Sequence, residues 1–284
     1  MGKDFFRGRR ALISGGSSGI GAAIAGELLR RGAHVFLLAR HADRLEKMAA
    51  DLRRIATDPD QKIDFAPADV RVAAQVTEAL NLCEQRLGPV DLLVNSAGIT
   101  QPGYVEEMPI DAFRAQIETN YMGTVQVVQA VLPSMISRRE GWITNVSSIA
   151  GLKGVFGYAA YCASKFAVVG YTQSLRSELL RHGIGVTLVC PPDTRTPMLA
   201  GESPLRPYES AYMAAKGKVF EADVVARAAV RGIERRKFLV LTGFDSHFLH
   251  RASGLAPGAI DWMFDRMIRA AQRQHNELGR HANG

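Results

Sequence analysis

Ala11-Leu-Ile-Ser-Gly-Gly-Ser-Ser-Gly-Ile-Gly21 joins a short apolar run to a glycine-rich turn, and the turn opens directly into a helical pattern. Glycine at 15 permits a tight turn, Gly19 lets the backbone approach an anion, and Gly21 lets the helix pack close to the strand behind it. Free amides at the helix start then face a pyrophosphate. A glycine-rich string alone would also suit a flexible turn. Set between strand and helix it reads as a dinucleotide site, with Gly15, Ser17, Ser18, Gly19, Ile20 and Gly21 as its contacts.

Further along the chain, six more short apolar runs mark strands: Val35–Ala39, Ile63–Ala66, Val90–Val94, Trp142–Val146, Gly185–Val189 and Phe238–Leu241. Between most of them apolar residues recur at three and four spacing, as in Ile20, Ala23, Ile24, Leu28 and in Leu45, Met48, Leu52, Ile55. Strand and helix in regular alternation predict an α/β fold: a doubly wound, parallel seven-stranded sheet with helices on both faces. No Pro- or Ser-rich linker and no fixed-period repeat divides the chain, so a single domain over residues 1–284 is expected. The alternation lapses over residues 197–221, where Pro204 and Pro207 follow the C-terminal end of a strand. That stretch is read as a substrate lid.

At 47% hydrophobic and 22% charged residues, the composition suits a globular protein with a sizeable core. The N-terminus runs into charge at Arg9 and Arg10 without an apolar stretch, so no secretory leader is expected. Cys83, Cys162 and Cys190 are odd in number and widely spaced, which suits a reducing compartment and neither a disulfide framework nor a zinc site. A cytoplasmic location is expected. The seven histidines form no metal-ligand spacing, and no metal is assigned. The net charge of +7 is compatible with nucleic acid, an anionic membrane or a phosphorylated ligand. Basic residues are not interleaved with aromatics and no reader motif occurs, so nucleic acid is set aside.

The second strand ends at Arg40, where a cofactor with a free 2′-hydroxyl would usually meet an acidic residue. Arg40, with Arg44 nearby, offers a guanidinium fork to a 2′-phosphate, which favours NADP over NAD. A solvated arginine at a helix start is the plainer alternative. Tyr161 and Lys165 lie four residues apart in a helical pattern, on one face. A fixed ammonium there would bring a phenol, ordinarily near ~10, closer to neutral titration. Alone, such a pair is more often a surface contact.

The glycine turn, Asn95-Ser-Ala-Gly98, Asn120, Val146-Ser-Ser-Ile-Ala-Gly151 and Tyr161-x-x-x-Lys165 together resemble, in order and spacing, the short-chain dehydrogenase/reductase family, over roughly residues 8–242. The resemblance implies a Rossmann-type fold and a nicotinamide-dependent oxidoreductase. It implies that Tyr161 donates a proton to a carbonyl oxygen and that Lys165 lowers the phenol's pKa and holds the nicotinamide ribose. Ser148 would bond the substrate oxygen, and Asn120 would position a water relaying protons to Lys165. Asn95, Ala97 and Gly98 would lie along the adenosine half of the cofactor, and Asp69 and Val70 would meet the adenine. Pro191, Thr194 and Thr196 complete the cofactor contacts. Ser96, where the family usually has Asn, is a small departure. The resemblance also implies assembly as a homodimer or homotetramer.

Cys190-Pro-Pro-Asp-Thr-Arg-Thr-Pro197 and Gly157-Tyr-Ala-Ala-Tyr-Cys-Ala-Ser-Lys165 resemble the 3-ketodihydrosphingosine reductase branch of that family, whose members use NADPH on a long-chain keto-lipid. Arg195, where relatives tend to have Asp, puts recognition of a cationic headgroup in doubt. General alcohol dehydrogenation, 3-oxoacyl reduction and a catalytically idle NADP-binding regulator stand as alternatives. In the amphipathic extension, residues 244–284, Ile260, Met263, Phe264, Met267, Ile268 and Ala271 form a stripe flanked by Arg266, Arg269, Arg273 and Trp262. Such a helix suits a membrane interface, and the plainer reading is a helix docked on the domain or on a sister subunit.

Overall fold

The computed structural model describes residues 5–282, with side chains as far as Glu277; residues 1–4 and 283–284, the ends of the expected domain and extension, lie outside. β1 (Arg10–Ser14), β2 (His34–Ala39), β3 (Ile63–Pro67), β4 (Leu92–Asn95), β5 (Trp142–Val146), β6 (Gly185–Cys190) and, late in the chain, β9 (Leu239–Leu241) form one sheet. Its order is β3-β2-β1-β4-β5-β6-β9, and every pairing is parallel. This is the doubly wound sheet expected from the alternation. Its strands are apolar on both faces because both faces are covered. Ala11, Ile13, Val35, Leu37, Leu92 and Val94 enter one core layer, whereas Leu12, Phe36, Leu38 and Leu93 enter the other.

On the first face lie α1 (Gly19–Leu29) and α9 (Ala222–Glu234), which pack together through Ile24 and Leu28 against Val225, Ala229, Val230 and Ile233. The other face is covered by α3 (Ala73–Leu87), α5 (Gly123–Arg138) and α6 (Ala159–Leu179). On α3, Val76, Ala79, Leu80, Cys83 and Leu87 form the buried stripe. Between α4 (Ile110–Gln116) and α5, residues 117–122 run as a π-turn containing Asn120. α2 (Ala42–Arg53) links β2 to β3.

The strand order reverses between β1 and β4, which opens a crevice beyond their C-terminal ends. Two short strands, β7 (Thr194–Arg195) and β8 (Phe220–Glu221), pair in parallel. Between them run α7 (Pro197–Glu202) and α8 (Tyr208–Ala214). The stretch without strand–helix alternation is thus largely helical.

α10 (Phe244–Leu255) and α11 (Pro257–Ala282) follow β9. α11 packs on α8. Ile260 and Ala271 are buried and Phe264, Met267 and Ile268 partly so, while Met263 is exposed. Lys153 pairs with Asp261, and Tyr208 meets His275 at 4.4 Å between ring centroids. Most of the apolar stripe is therefore a docking face on the protein itself. Phe244, Phe248, Leu255 and Trp262 remain on the outside. Among the described residues, no helix is long and apolar enough to cross a membrane.

Candidate active site

A cleft of about 520 Å³ lies at the strand-order reversal. The β1–α1 turn forms its floor. Gly15 has φ +69°, and a Cβ there would stand 2.6 Å from the Ala97 nitrogen, so this position must be glycine for β1 and β4 to end side by side. Gly19, at φ +57°, faces the Thr196 side chain, leaving the amides of the α1 start open to the cleft. Ser17, Ser18, Gly19 and Ile20 all line it. Gly21 does not; it packs α1 against the Gly15 carbonyl, as the sequence expectation of close helix–strand packing requires.

At the far end of the cleft stand Arg40 and Arg44. Arg40 is exposed, and among the described residues neither guanidinium makes an ion pair. Asp69 and Val70 line the cleft at the end of β3. The Asp69 carboxylate is gripped by Arg71 at 2.6 Å, and that hydrogen bond holds its pKa below the usual range. A glycine cradle, free helix amides and two unpaired guanidinium groups match the pyrophosphate and phosphate groups of a dinucleotide.

Ala97 and Gly98 line the cleft. Asn95 was expected to do so but is buried beneath it: Nδ2 donates to Asn145 Oδ1 at 2.9 Å, and Asn145 Nδ2 donates to Thr172 Oγ1 at 3.0 Å. The pair ties β4 to β5 and to α6. Ser14, level with Asn95 across the sheet, accepts hydrogen bonds from the amides of Ser96 and Ala97. Ser14 Oγ in turn donates to Asn95 Oδ1 at 3.4 Å, so Asn95 reaches the backbone of Ser96 and Ala97 only through Ser14.

Tyr161 and Lys165 project from α6 into the cleft, with Lys165 Nζ 5.6 Å from the Tyr161 ring centroid. Lys165 is buried and donates to the Val146 carbonyl at 3.1 Å. Burial pulls its pKa down to about 8. Burial also raises that of Tyr161, the negative charge of Glu202 adds to the rise, and a hydrogen bond from Ser148 opposes it. In the protein alone, desolvation sets the direction of the Tyr161 shift. Tyr161 holds its proton at neutral pH.

Ser148 sits at the end of β5, where its side chain accepts from the Ala150 amide at 3.1 Å and caps the 3₁₀ turn 149–151. It lines a smaller recess of about 110 Å³ that opens beside Tyr161, together with Pro191, Thr194, Thr196, Leu199 and Glu202. Pro191 and Thr194, expected at the cofactor, thus flank this recess, and Thr196 lines both spaces. Asn120 borders neither. Its Oδ1 accepts from the Ile99 amide at 2.7 Å, and Nδ2 donates to the Ile99 carbonyl and to Ser164 Oγ, both at 2.9 Å. The side chain is thus committed to Ile99 and Ser164, and the main-chain carbonyl accepts from Thr124 Oγ1 at 2.8 Å.

Sequence reasoning passed over Glu202. No motif or periodicity marks it, yet the fold buries it in the wall shared by both spaces. Arg195, the departure noted above, points outward and pairs with Glu221 at 2.8 Å. It lines neither space.

The short chain dehydrogenase family model matches residues 9–206. The chain belongs to this family. Among this dehydrogenase's relatives are a 3-dehydrosphinganine reductase of Danio rerio, 36% identical over 88% of this chain and 76% of its own, and a 3-ketodihydrosphingosine reductase of Mus musculus, 35% identical over the same shares. A solved actinorhodin polyketide ketoreductase with NADPH is 32% identical, with a TM-score of 0.75 over 83% of this chain and 96% of its own. A short-chain dehydrogenase from Burkholderia phymatum in complex with NAD is 28% identical, with a TM-score of 0.76 over 90% of this chain and 96% of its own. The dehydrogenase is accordingly an oxidoreductase that uses a nicotinamide cofactor.

Proposed function

We propose that this dehydrogenase reduces the ketone of a long-chain keto-lipid to a secondary alcohol with NADPH, and that 3-ketodihydrosphingosine or a close analogue is the substrate. The observation that carries the reaction is the meeting of a protonated Tyr161 and the Ser148 hydroxyl at the mouth of the recess, beside the dinucleotide-shaped cleft. When bound, the reduced nicotinamide supplies the hydride. Ser148 donates a hydrogen bond to the carbonyl oxygen as charge develops there, and Tyr161 gives that oxygen its proton. The acid form of the phenol is the one that acts. Lys165, mostly ammonium below pH 8, holds the ribose hydroxyls and lends positive charge as the phenol gives up its proton. Asn120 is a positioning residue that fixes Ile99 and Ser164 around the Lys165 face.

The unpaired Arg40 and Arg44 favour the 2′-phosphate of NADPH. The lipid reading rests on the reductases among the relatives. Residues 197–221 would act as the lid within a single catalytic domain, and the outward Phe244, Phe248, Leu255 and Trp262 would rest on an anionic membrane surface from which the substrate is taken. A homodimer or homotetramer is the proposed assembly, measurable by light scattering.

NADPH oxidation by the purified protein with long-chain 3-ketosphinganine, short ketones and 3-oxoacyl thioesters tests the reading. The keto-lipid should give the highest kcat/KM. Preference for short ketones or thioesters would make it a general alcohol dehydrogenase or an oxoacyl reductase, and no turnover of any would leave an idle NADP-binding regulator. Tyr161→Phe should lower kcat by about 10²- to 10⁴-fold while NADPH still binds.

A further inference from the structure

The recess beside Tyr161 carries a fixed negative charge that ketone reduction itself does not use. Glu202, at the end of α7, is buried, and its Oε1 accepts from the Tyr158 hydroxyl at 2.9 Å and from Arg206 Nη2 at 2.6 Å. Arg206 is shared with Asp193 at 3.2 Å. One guanidinium thus serves two carboxylates, and the cluster keeps one net negative charge. Among the described residues no hydrogen bond reaches Glu202 Oε2, and this oxygen is not fully enclosed. The Tyr158 ring lies 6.1 Å from the Tyr161 ring, which places the carboxylate's support next to the proton donor.

We propose that Glu202 receives the ammonium group of a substrate bearing an amine on the carbon next to its ketone, making it a specificity-determining residue for 2-amino ketones. This rests on the ketone-reductase reading above and names the residue that would select the amine of its substrate. Ser148, Tyr161 and Glu202 line one recess, so a ketone whose oxygen the first two hold would have its neighbouring carbon in the space this carboxylate borders. Removing a carboxylate from water without full pairing is costly, and a cationic substrate supplies the missing partner. Arg206 and Tyr158 fix the carboxylate beforehand, so little ordering remains at binding. Arg195, which might have cancelled this charge, is turned away to Glu221.

The test compares three long-chain substrates on the intact enzyme with NADPH: 3-ketosphinganine, its N-acetyl derivative and its 2-deamino analogue. In the wild type, kcat/KM for the free amine should exceed both others by at least about tenfold, the discrimination typical of a charge-assisted hydrogen bond. In Glu202→Gln this ratio should collapse toward one, with the change in KM for the amine. Equal use of all three by the wild type, or an undiminished ratio in the variant, overturns the inference while the lipid reading stands. Turnover confined to short ketones overturns both. Glu202→Asp, which keeps the charge but draws it back by one methylene, is the second variant: the ratio should fall there too, and an undiminished ratio overturns the inference.

Discussion

Lys165 keeps its ammonium largely withdrawn from water at the wall of the cleft, and the consequence is measurable in two ways. Its pKa is about 8 in the fold and 10.5 ordinarily. In reduction the charged form is the working one, so kcat/KM should be level below pH 8 and fall as pH rises through that value; a profile flat to pH 10 would contradict this. In stability the sign is opposite. Between about pH 8 and 10.5 the unfolded chain binds more protons than the folded one, so this group makes the protein more stable as pH rises across that window. Below it the buried charge is a standing cost. Lys165→Met should therefore be inactive yet more stable at pH 7 by about 1 to 3 kcal/mol, seen in urea unfolding. Arg40 sits at the other end of the cleft and, among the described residues, has no ion-pair partner to lose. Arg40→Ala should cut the preference for NADPH over NADH by about 10- to 100-fold with little change in stability.

The elements were legible in the sequence to the extent that burial writes a period. Leu12 and Ile13, or Phe36 and Leu37, go to opposite apolar layers, so each strand appeared as a compact apolar run. The β1–α1 turn was equally plain, because its glycines answer to backbone crowding that no other residue tolerates. What long-range contact decides was not visible. Asn95 resembles a cofactor contact in its motif but spends its amide on Asn145 of the neighbouring strand. Glu202 owes its role to Tyr158 and Arg206, which only the folded chain brings together. The π-turn around Asn120 leaves no compositional trace. The C-terminal stripe could not say what it covered, and the fold answers that α11 lies on α8. Ending the chain at Ala256 should thus loosen α8, speeding its amide exchange by at least about tenfold while β1, β4 and β5 keep their protection. Uniform exchange in both proteins would refute this coupling.

At the level of the molecule, the charge of +7 and the outward aromatic residues of α10 and α11 belong to one expectation. Vesicles of phosphatidylcholine with phosphatidylglycerol should retain the protein at low salt, with about 1 kcal/mol from each basic residue near the surface. Retention should weaken as salt shortens the screening length to ~8 Å at physiological strength. Phe248→Ser with Trp262→Ser should abolish it and leave the reduction of short-chain ketones intact. Binding that ignores both salt and these substitutions would speak against the membrane contact.

The pairing of β7 with β8 brings residues 194–195 and 220–221 side by side, so everything between them leaves and rejoins the body at one spot. Such a stretch can be lengthened, trimmed or exchanged for another protein's counterpart without shifting a strand of the main sheet. Evolution, or an engineer, can then retune what the enzyme accepts as a cassette, while the machinery of hydride and proton delivery stays where it is.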